Sequence, residues 1–471
     1  MPTLPLLVLA AYLAAVLAIG LVWRRRAGRD EASYFVADRS LGTFWGFTGL
    51  ASLTTGGSTT IALAALVYTH GAAGLWLDLS GALGLLLLGL FLARRVRREG
   101  AVTLPEIIGR FYGLAARRVA AALVIVSEIV WFALLTEATQ IVLTAALGLE
   151  PTLALVLSTA VFVAYTSLGG QFAVVRTDLL QYGLMLAGIP GIALWAALSG
   201  AGGLSGLPPE AWSFPTSPTF SAGDVVAMLV LVGLPHLVGS DIFLKLNSCR
   251  DEDTARRAPP PPPRAALLAA GSKVLFGLSV AAIALAARKA LPPMPPVEVL
   301  PAAVLAFAPP ALSALVIVAL VATMQTSADV VLLSAAAATA RDLAPALLHR
   351  PLKLSASRVL VPVYGALGLL TALGLRRDVL ETLKLGYSIF AAGLIVPVLA
   401  AFLPGRLGIP RAAAIAAMVA GGAIAAAGRF APGLCGGHDP VLVGTAANTA
   451  ILVLSAAAAR LRPSGGRGTA A

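Results

Sequence analysis

Few residues of this 471-residue chain could do chemistry, and most of them lie inside long apolar segments. Asp78 sits in Trp76-Leu77-Asp78-Leu79-Ser80, and Lys273 in the apolar stretch 265–287. An ionisable group at membrane depth is costly and is a functional candidate by default. A lysine and a carboxylate could hydrogen-bond a polar solute from two sides. They could equally neutralise each other in the core, or Asp78 could lie near the outer surface. Glu128 and Glu137 are nine residues apart, about 2.5 helical turns, so they face nearly opposite ways and are not an acid–base pair. Gln140 shares the face of Glu137, and both read as helix–helix polar contacts. Glu381 and Lys384 share a helix face and read as a self-paired couple at the membrane edge. Cys249 and Cys435 are too far apart for a disulfide framework, and Cys435 with His438 makes no metal site.

Two segments could expose backbone oxygen. One is Thr54-Thr55-Gly56-Gly57-Ser58-Thr59-Thr60; adjacent glycines among hydroxyls make a poor continuous helix. The other is Gly233-Leu234-Pro235-His236 followed by Gly239-Ser240-Asp241, where Pro235 removes an amide donor. Lipid tolerates unwound backbone only where it is buried or lines a cavity. Gly56, Gly57, Ser58 and His236 are therefore candidate solute contacts. His236 could bind a carboxylate or cap free carbonyls.

The elements carrying these residues must be membrane helices. The chain is 58% hydrophobic with a mean hydropathy of +0.89. Only 12% is charged, against about 25% in a soluble domain. A soluble enzyme, a nucleic-acid module and a disordered scaffold are excluded. Thirteen spans are expected, at roughly 4–23, 43–69, 73–93, 119–147, 152–168, 172–199, 222–246, 265–287, 303–339, 359–375, 378–403, 412–428 and 440–459. Arg24, Arg25 and Arg26 follow the first span, the reverse of a cleaved signal peptide. Assigning alternate loops to the cytoplasm puts 27 Lys/Arg inside and five outside. That split predicts the N-terminus outside and the C-terminus inside the cytoplasmic membrane, and it explains the net charge of +12 without nucleic acid. Lys245 falls in a cytoplasmic loop in this assignment, and Pro259–Pro263 reads as a stiff linker. No appended soluble domain is expected.

The two interruptions are five spans apart. Residues 43–199 and 222–404 then form two five-helix repeats in opposite orientation, each opening with a broken helix. Residues 1–42 add a leading helix and loop, and 405–471 two trailing helices. Paired breaks point to an inverted-repeat secondary transporter with its site at the breaks. A Gly-rich packing face in the one span and a simple proline kink in the other are the plainer alternative.

Gly169-Gly170-Gln171-Phe172-Ala173-Val174-Val175-Arg176-Thr177-Asp178-Leu179-Leu180-Gln181 matches the sodium:solute symporter signature GG-x-x-AV-x-x-TD-x-x-Q. Tyr34-Phe35 with Arg39-Ser40-Leu41-Gly42, Thr103-Leu104-Pro105-Glu106 with Arg110-Phe111, Arg250-Asp251-Glu252 with Ala255-Arg256-Arg257, and Gln325-Thr326-Ser327-Ala328-Asp329 with Arg341-Asp342 resemble further segments of that family, in order. The chain thus resembles sodium:solute symporters, which have the inverted-repeat, leucine-transporter-type fold.

The resemblance implies sodium-coupled uptake of a small polar solute by alternating access. It implies sodium ligands: hydroxyls of Thr326 and Ser327, and backbone carbonyls of Ser52, Thr55 and Thr323. Without the resemblance, Thr326 and Ser327 read more simply as hydroxyls satisfying local carbonyls. The resemblance also places Asp78 and Lys273 at solute-binding positions, Asp329 as structural support, and Arg39, Gly169, Gly170, Asp178 and Gln181 in the signature and inner gate. Asp178 could cap its helix or hold Arg176. Tyr387 and Ser388 are candidates for the inner side of the solute site. Some features depart from the family. Thr54 stands where proline symporters carry an acid, Ser240 replaces an arginine after His236, and the Pro-Gly expected near Val280-Ala281 is absent. The expected partners are solute, sodium and lipid, with no organic cofactor. A passive channel or uniporter and a sensor without transport, which would need a separate partner, are the alternatives. A membrane enzyme is disfavoured because no nucleophile–base or metal-ligand set is clustered in the spans.

Overall fold

The computed structural model describes residues 3–199, 203–250, 261–375, 378–402 and 408–461, without the side chains of Thr3, Ser58, Ser199, Pro261 and Pro262. Among these residues the structure is helical, with two isolated β-bridges, Leu41 to Cys249 and Ser217 to Phe220. Eleven helical stretches are long and apolar enough to cross a bilayer. The expected count was thirteen, and the two longest stretches account for the difference. Thr59–Glu99 runs through a bend at Gly71, and Pro151–Leu198 runs through a kink at Gly170 without unwinding. Both glycines have positive φ, which lets the chain turn inside an otherwise helical run.

Burial separates a core from a lipid-facing rim. Pro310–Leu348 is 94% buried over its apolar window, and Val379–Phe402 is 83% buried. Leu4–Ala27 and Pro440–Leu461 are each 22% buried. The rim helices present Leu7, Val22, Val453 and Leu454 outward, as chains solvated by hydrocarbon do.

Both expected interruptions exist. Thr43–Thr55 ends at Gly56, and Ser58–His70 begins after Gly57, whose φ is 70°. In the second case the break lies at Gly239 (ψ 142°), not at Pro235. A widened turn, Leu229–Gly233, precedes Pro235 and absorbs its missing N–H. Lys245 is not in a loop: it is buried in the helix Ser240–Asn247. The linker reading of Pro259–Pro263 also fails in part. Pro261 already begins the helix Pro261–Ala290, while residues 251–260, including Asp251, Glu252, Ala255, Arg256 and Arg257, lie outside the description.

Segments expected on the cytoplasmic side meet at one end of the bundle. Arg39 donates to the carbonyl of Gly100 at 2.7 Å, and Arg97 to that of Cys249 at 2.9 Å. Asp342 accepts from Arg117 at 2.6 Å and from Thr103 at 2.7 Å. Arg341 reaches Glu31 at 3.2 Å.

Gly170 has φ 50° and ψ −156°, and an added Cβ would lie 2.6 Å from the Tyr34 ring and 2.7 Å from its carbonyl oxygen. Gly170→Ala is expected to cost about 1–3 kcal/mol in backbone strain alone. The purified protein should melt several degrees lower. Gly183→Ala, in the same helical stretch but where a Cβ meets open space, should not lower the melting temperature.

Candidate functional site

In an unbroken helix the carbonyls of Ser52, Leu53 and Thr54 would accept the N–H groups of residues 56, 57 and 58. The break redirects them. The Gly57 N–H donates across to the carbonyl of Thr323 at 2.6 Å. The Thr326 hydroxyl donates to the Ser52 carbonyl at 3.1 Å and to the Thr323 carbonyl at 3.0 Å. The Ser327 hydroxyl donates to the Leu53 carbonyl at 3.2 Å. The Lys273 ammonium donates to the Thr54 carbonyl at 2.6 Å. Three successive freed carbonyls are thus met by three side chains.

Gly57 is required twice over. Its φ of 70° excludes most side chains, and a Cβ would lie 2.8 Å from the Ser327 hydroxyl oxygen.

Ser52, Thr323, Thr326 and Ser327 therefore lie together, all of them buried. The Thr55 hydroxyl, whose residue was expected to offer its backbone carbonyl, faces that of Ser272 at 3.4 Å. The Leu53 carbonyl, which carries no side-chain signal, is the one that meets Ser327. The cluster consists of neutral oxygens. Carbonyl and hydroxyl lone pairs suit a hard monovalent cation held weakly enough to leave again.

Beside this cluster is a small cavity of ≈ 20 Å³, lined by Thr54, Gly56, Gly57, Trp131, His236, Asp241 and Tyr387 among others. That is room for about one water. An organic solute needs the lining to open. The Tyr387 ring packs against Trp131 with centroids 4.1 Å apart and faces His236 at 6.4 Å. His236 Nδ1 lies 2.9 Å from the carbonyl of Val232. A carbonyl only accepts, so Nδ1 carries a proton. Asp241 accepts from the Ile242 N–H at 2.8 Å, and Glu128 from the Ser240 hydroxyl at 2.6 Å. Among the described residues, no lysine or arginine lines the cavity.

Other expected solute contacts stand back from it. Asp78 and Lys273 pair at 2.8 Å, both buried, and neither lines the cavity. They close on each other because the alternative is two unpaired charges in the core. Ser388 accepts from Arg429 at 3.1 Å and is not in the lining. Ser58 begins the helix Ser58–His70, but its side chain lies outside the described residues. Asp329 accepts from Thr166 at 3.2 Å. Glu381 and Lys384 pair at 2.8 Å.

The signature segment flanks the cluster. Asp178 is fully buried and accepts from the Ser52 hydroxyl at 3.1 Å. Its ion-pair partner is Lys245, not Arg176. Arg176 instead lies over the Trp45 ring at 3.9 Å and the Trp23 ring at 4.8 Å. Gln181 donates to the Tyr12 hydroxyl at 2.9 Å, and Tyr12 donates to Gln325. Gly170 forms the kink that precedes this segment, and Gly169 stands directly before it.

Residues 34–216 match the Sodium:solute symporter family. The resemblance carried by Gly169–Gln181 is thereby borne out over this stretch, and the apolar helical stretches are those of a multi-pass membrane protein. The High-affinity choline transporter 1 of Caenorhabditis elegans is 27% identical over 163 residues, which is 35% of this chain and 28% of that one. The Drosophila melanogaster protein of the same name is 25% identical over 178 residues, 37% of this chain and 29% of that one. The Osmoregulated proline transporter OpuE of Bacillus subtilis is 27% identical over 246 residues, 50% of this chain and 45% of that one. The chain thus spans less than half the length of each of these relatives. A solved Na+-coupled sialic acid symporter, in a substrate-bound outward-open state, superposes with a TM-score of 0.79 at 17% identity, covering 97% of this chain and 98% of that one. Mhp1, a nucleobase-cation-symport-1 family transporter, superposes with a TM-score of 0.60 at 16% identity, covering 90% and 93%. At such identities the likeness shows the fold alone.

Proposed function

We propose that this chain is a sodium-coupled symporter that imports a small organic solute by alternating access. The observation that carries the reading is the convergence of the Thr326 and Ser327 hydroxyls on the carbonyls freed at the Gly56–Gly57 break. A passive route has no need of such an oxygen cluster. Sodium would bridge the broken helix Thr43–Thr55 and the most buried helix of the bundle, Pro310–Ala338. Its arrival would fix the geometry of the break, and with it the wall of the adjoining cavity. Dividing the two longest helical stretches at Gly71 and Gly170 gives thirteen passes, with the N-terminus outside and the C-terminus inside. The meeting of the basic loops at one end of the bundle supports that topology.

The cavity favours a solute bearing a cationic nitrogen. Trp131 and Tyr387 present aromatic rings, and Asp241 supplies a carboxylate with no lysine or arginine in the lining. A ring face beside a carboxylate suits an ammonium group. Choline and proline, named for two of the relatives, both carry such a nitrogen.

Uptake into proteoliposomes tests both parts. Labelled choline and proline should accumulate above the outside concentration only when sodium is high outside and low inside. Equilibration without accumulation points to a uniporter. Accumulation driven by a proton gradient with sodium absent overturns the coupling.

A further inference from the structure

The break in the helix Thr43–Thr55 frees three consecutive carbonyls, and they are not treated alike. Ser52 and Leu53 meet neutral hydroxyls, whereas Thr54 meets the Lys273 ammonium at 2.6 Å. The same ammonium lies 2.8 Å from Asp78. The arrangement is built to hold a lysine. Lys273 has no exposed surface, and Asp78 is 4% exposed. Gly81 makes room for the stem: a Cβ there would lie 2.5 Å from Lys273 Cε. Gly277 does the same for the carboxylate, with a would-be Cβ 3.0 Å from Asp78 Oδ2.

A carbonyl oxygen at a helix break, together with a carboxylate, is what a buried monovalent cation requires. Here that cation is covalently attached. We infer that Lys273 acts as a tethered internal cation beside the exchangeable sodium site, so that the broken helix takes up one free sodium ion per transport cycle and not two. This rests on the sodium-coupled reading of the oxygen cluster and adds a stoichiometry to it.

The physical logic has three parts. A tethered ammonium loses no translational freedom when it binds, so it occupies its place at any sodium concentration. Asp78 balances its charge, and the pair stays in the core at a desolvation cost that only good geometry offsets. The neighbouring cluster lacks a carboxylate, so its ion is held weakly and can leave inside. The fixed cation keeps the Thr54 carbonyl satisfied through the whole cycle, while the exchangeable one reports the sodium gradient.

Removing the tether should expose the second position. In Lys273→Met, Asp78 and the Thr54 carbonyl lose their cation but keep their places. Equilibrium binding of radioactive sodium to the purified full chain should give one ion per chain for the unaltered protein and two for Lys273→Met. The Hill coefficient for sodium should rise from about 1 towards 2. Adding Asp78→Asn to Lys273→Met removes the carboxylate and should return the count to one. Two ions bound by the unaltered protein overturn the inference, and this measurement stands even if Lys273→Met does not fold. A folded Lys273→Met that still binds one ion overturns it as well. An unaltered protein that binds no sodium and shows no sodium-driven uptake sinks the symport reading itself, a different result from either.

Discussion

Replacing Thr326 and Ser327 together by alanine is expected to raise the sodium concentration for half-maximal uptake at least tenfold. The two hydroxyls are the side-chain oxygens of the cluster, and each touches a carbonyl freed by the break. Losing one good ligand costs on the order of 1 kcal/mol, and 1.4 kcal/mol is about tenfold in affinity. The double change also strips the donors from the Ser52 and Leu53 carbonyls, which are buried. An unsatisfied buried carbonyl costs about 1–3 kcal/mol, so the variant should also melt lower in sodium-free buffer. Added sodium should recover part of this loss, because a ligand that binds only the folded state stabilises it by RT ln(1 + [L]/Kd). The melting temperature plotted against sodium concentration should therefore keep its shape and shift to higher sodium. Unchanged sodium dependence of both uptake and melting would place the ion elsewhere.

Much of this site could be read from residue types, because its elements announce themselves locally. The glycine pair at 56–57 breaks a helix by its own conformational preference, and the structure breaks there. The run Gly169–Gln181 is contiguous, so its identity needs no knowledge of the fold. Asp78 and Lys273 stand out by charge, and their partnership is real at 2.8 Å. What stayed hidden is what backbone and distance decide. A carbonyl has no letter, so nothing in the sequence shows the Leu53 carbonyl meeting Ser327, or Lys273 satisfying Thr54. The second break falls at Gly239 because a widened turn relieves Pro235, and such a turn leaves no compositional trace. Lys245 stands just before Arg250, Asp251 and Glu252, and so reads as the edge of a charged loop. Only the fold brings it to a carboxylate 67 residues earlier in the chain.

That pairing carries the largest expected loss of stability. Lys245 and Asp178 are 2% and 0% exposed at their side chains, so each charge depends on the other. Lys245→Ala leaves a buried carboxylate whose remaining donor is the Ser52 hydroxyl at 3.1 Å. Breaking a buried pair from one side costs about 3–5 kcal/mol, because the surviving charge keeps its desolvation penalty and loses its compensation. Asp178→Asn should cost a similar amount for the mirrored reason. Removing both charges, as Lys245→Ala with Asp178→Asn, eliminates the charge penalty and should recover most of the loss. The double-mutant cycle should thus show strong non-additivity, measured by equilibrium unfolding in mixed micelles. The same variants should separate stability from ion binding. Ser52 links the two: its hydroxyl contacts Asp178 while its carbonyl contacts Thr326. The charge-free double variant should therefore fold well yet bind sodium several-fold more weakly, because the Ser52 hydroxyl has lost its charged acceptor and the carbonyl beside it is held less firmly. If Lys245→Ala costs less than about 1 kcal/mol, the two charges are not paired in the core. If the double variant keeps full sodium affinity, Asp178 supports the fold without positioning the ion cluster.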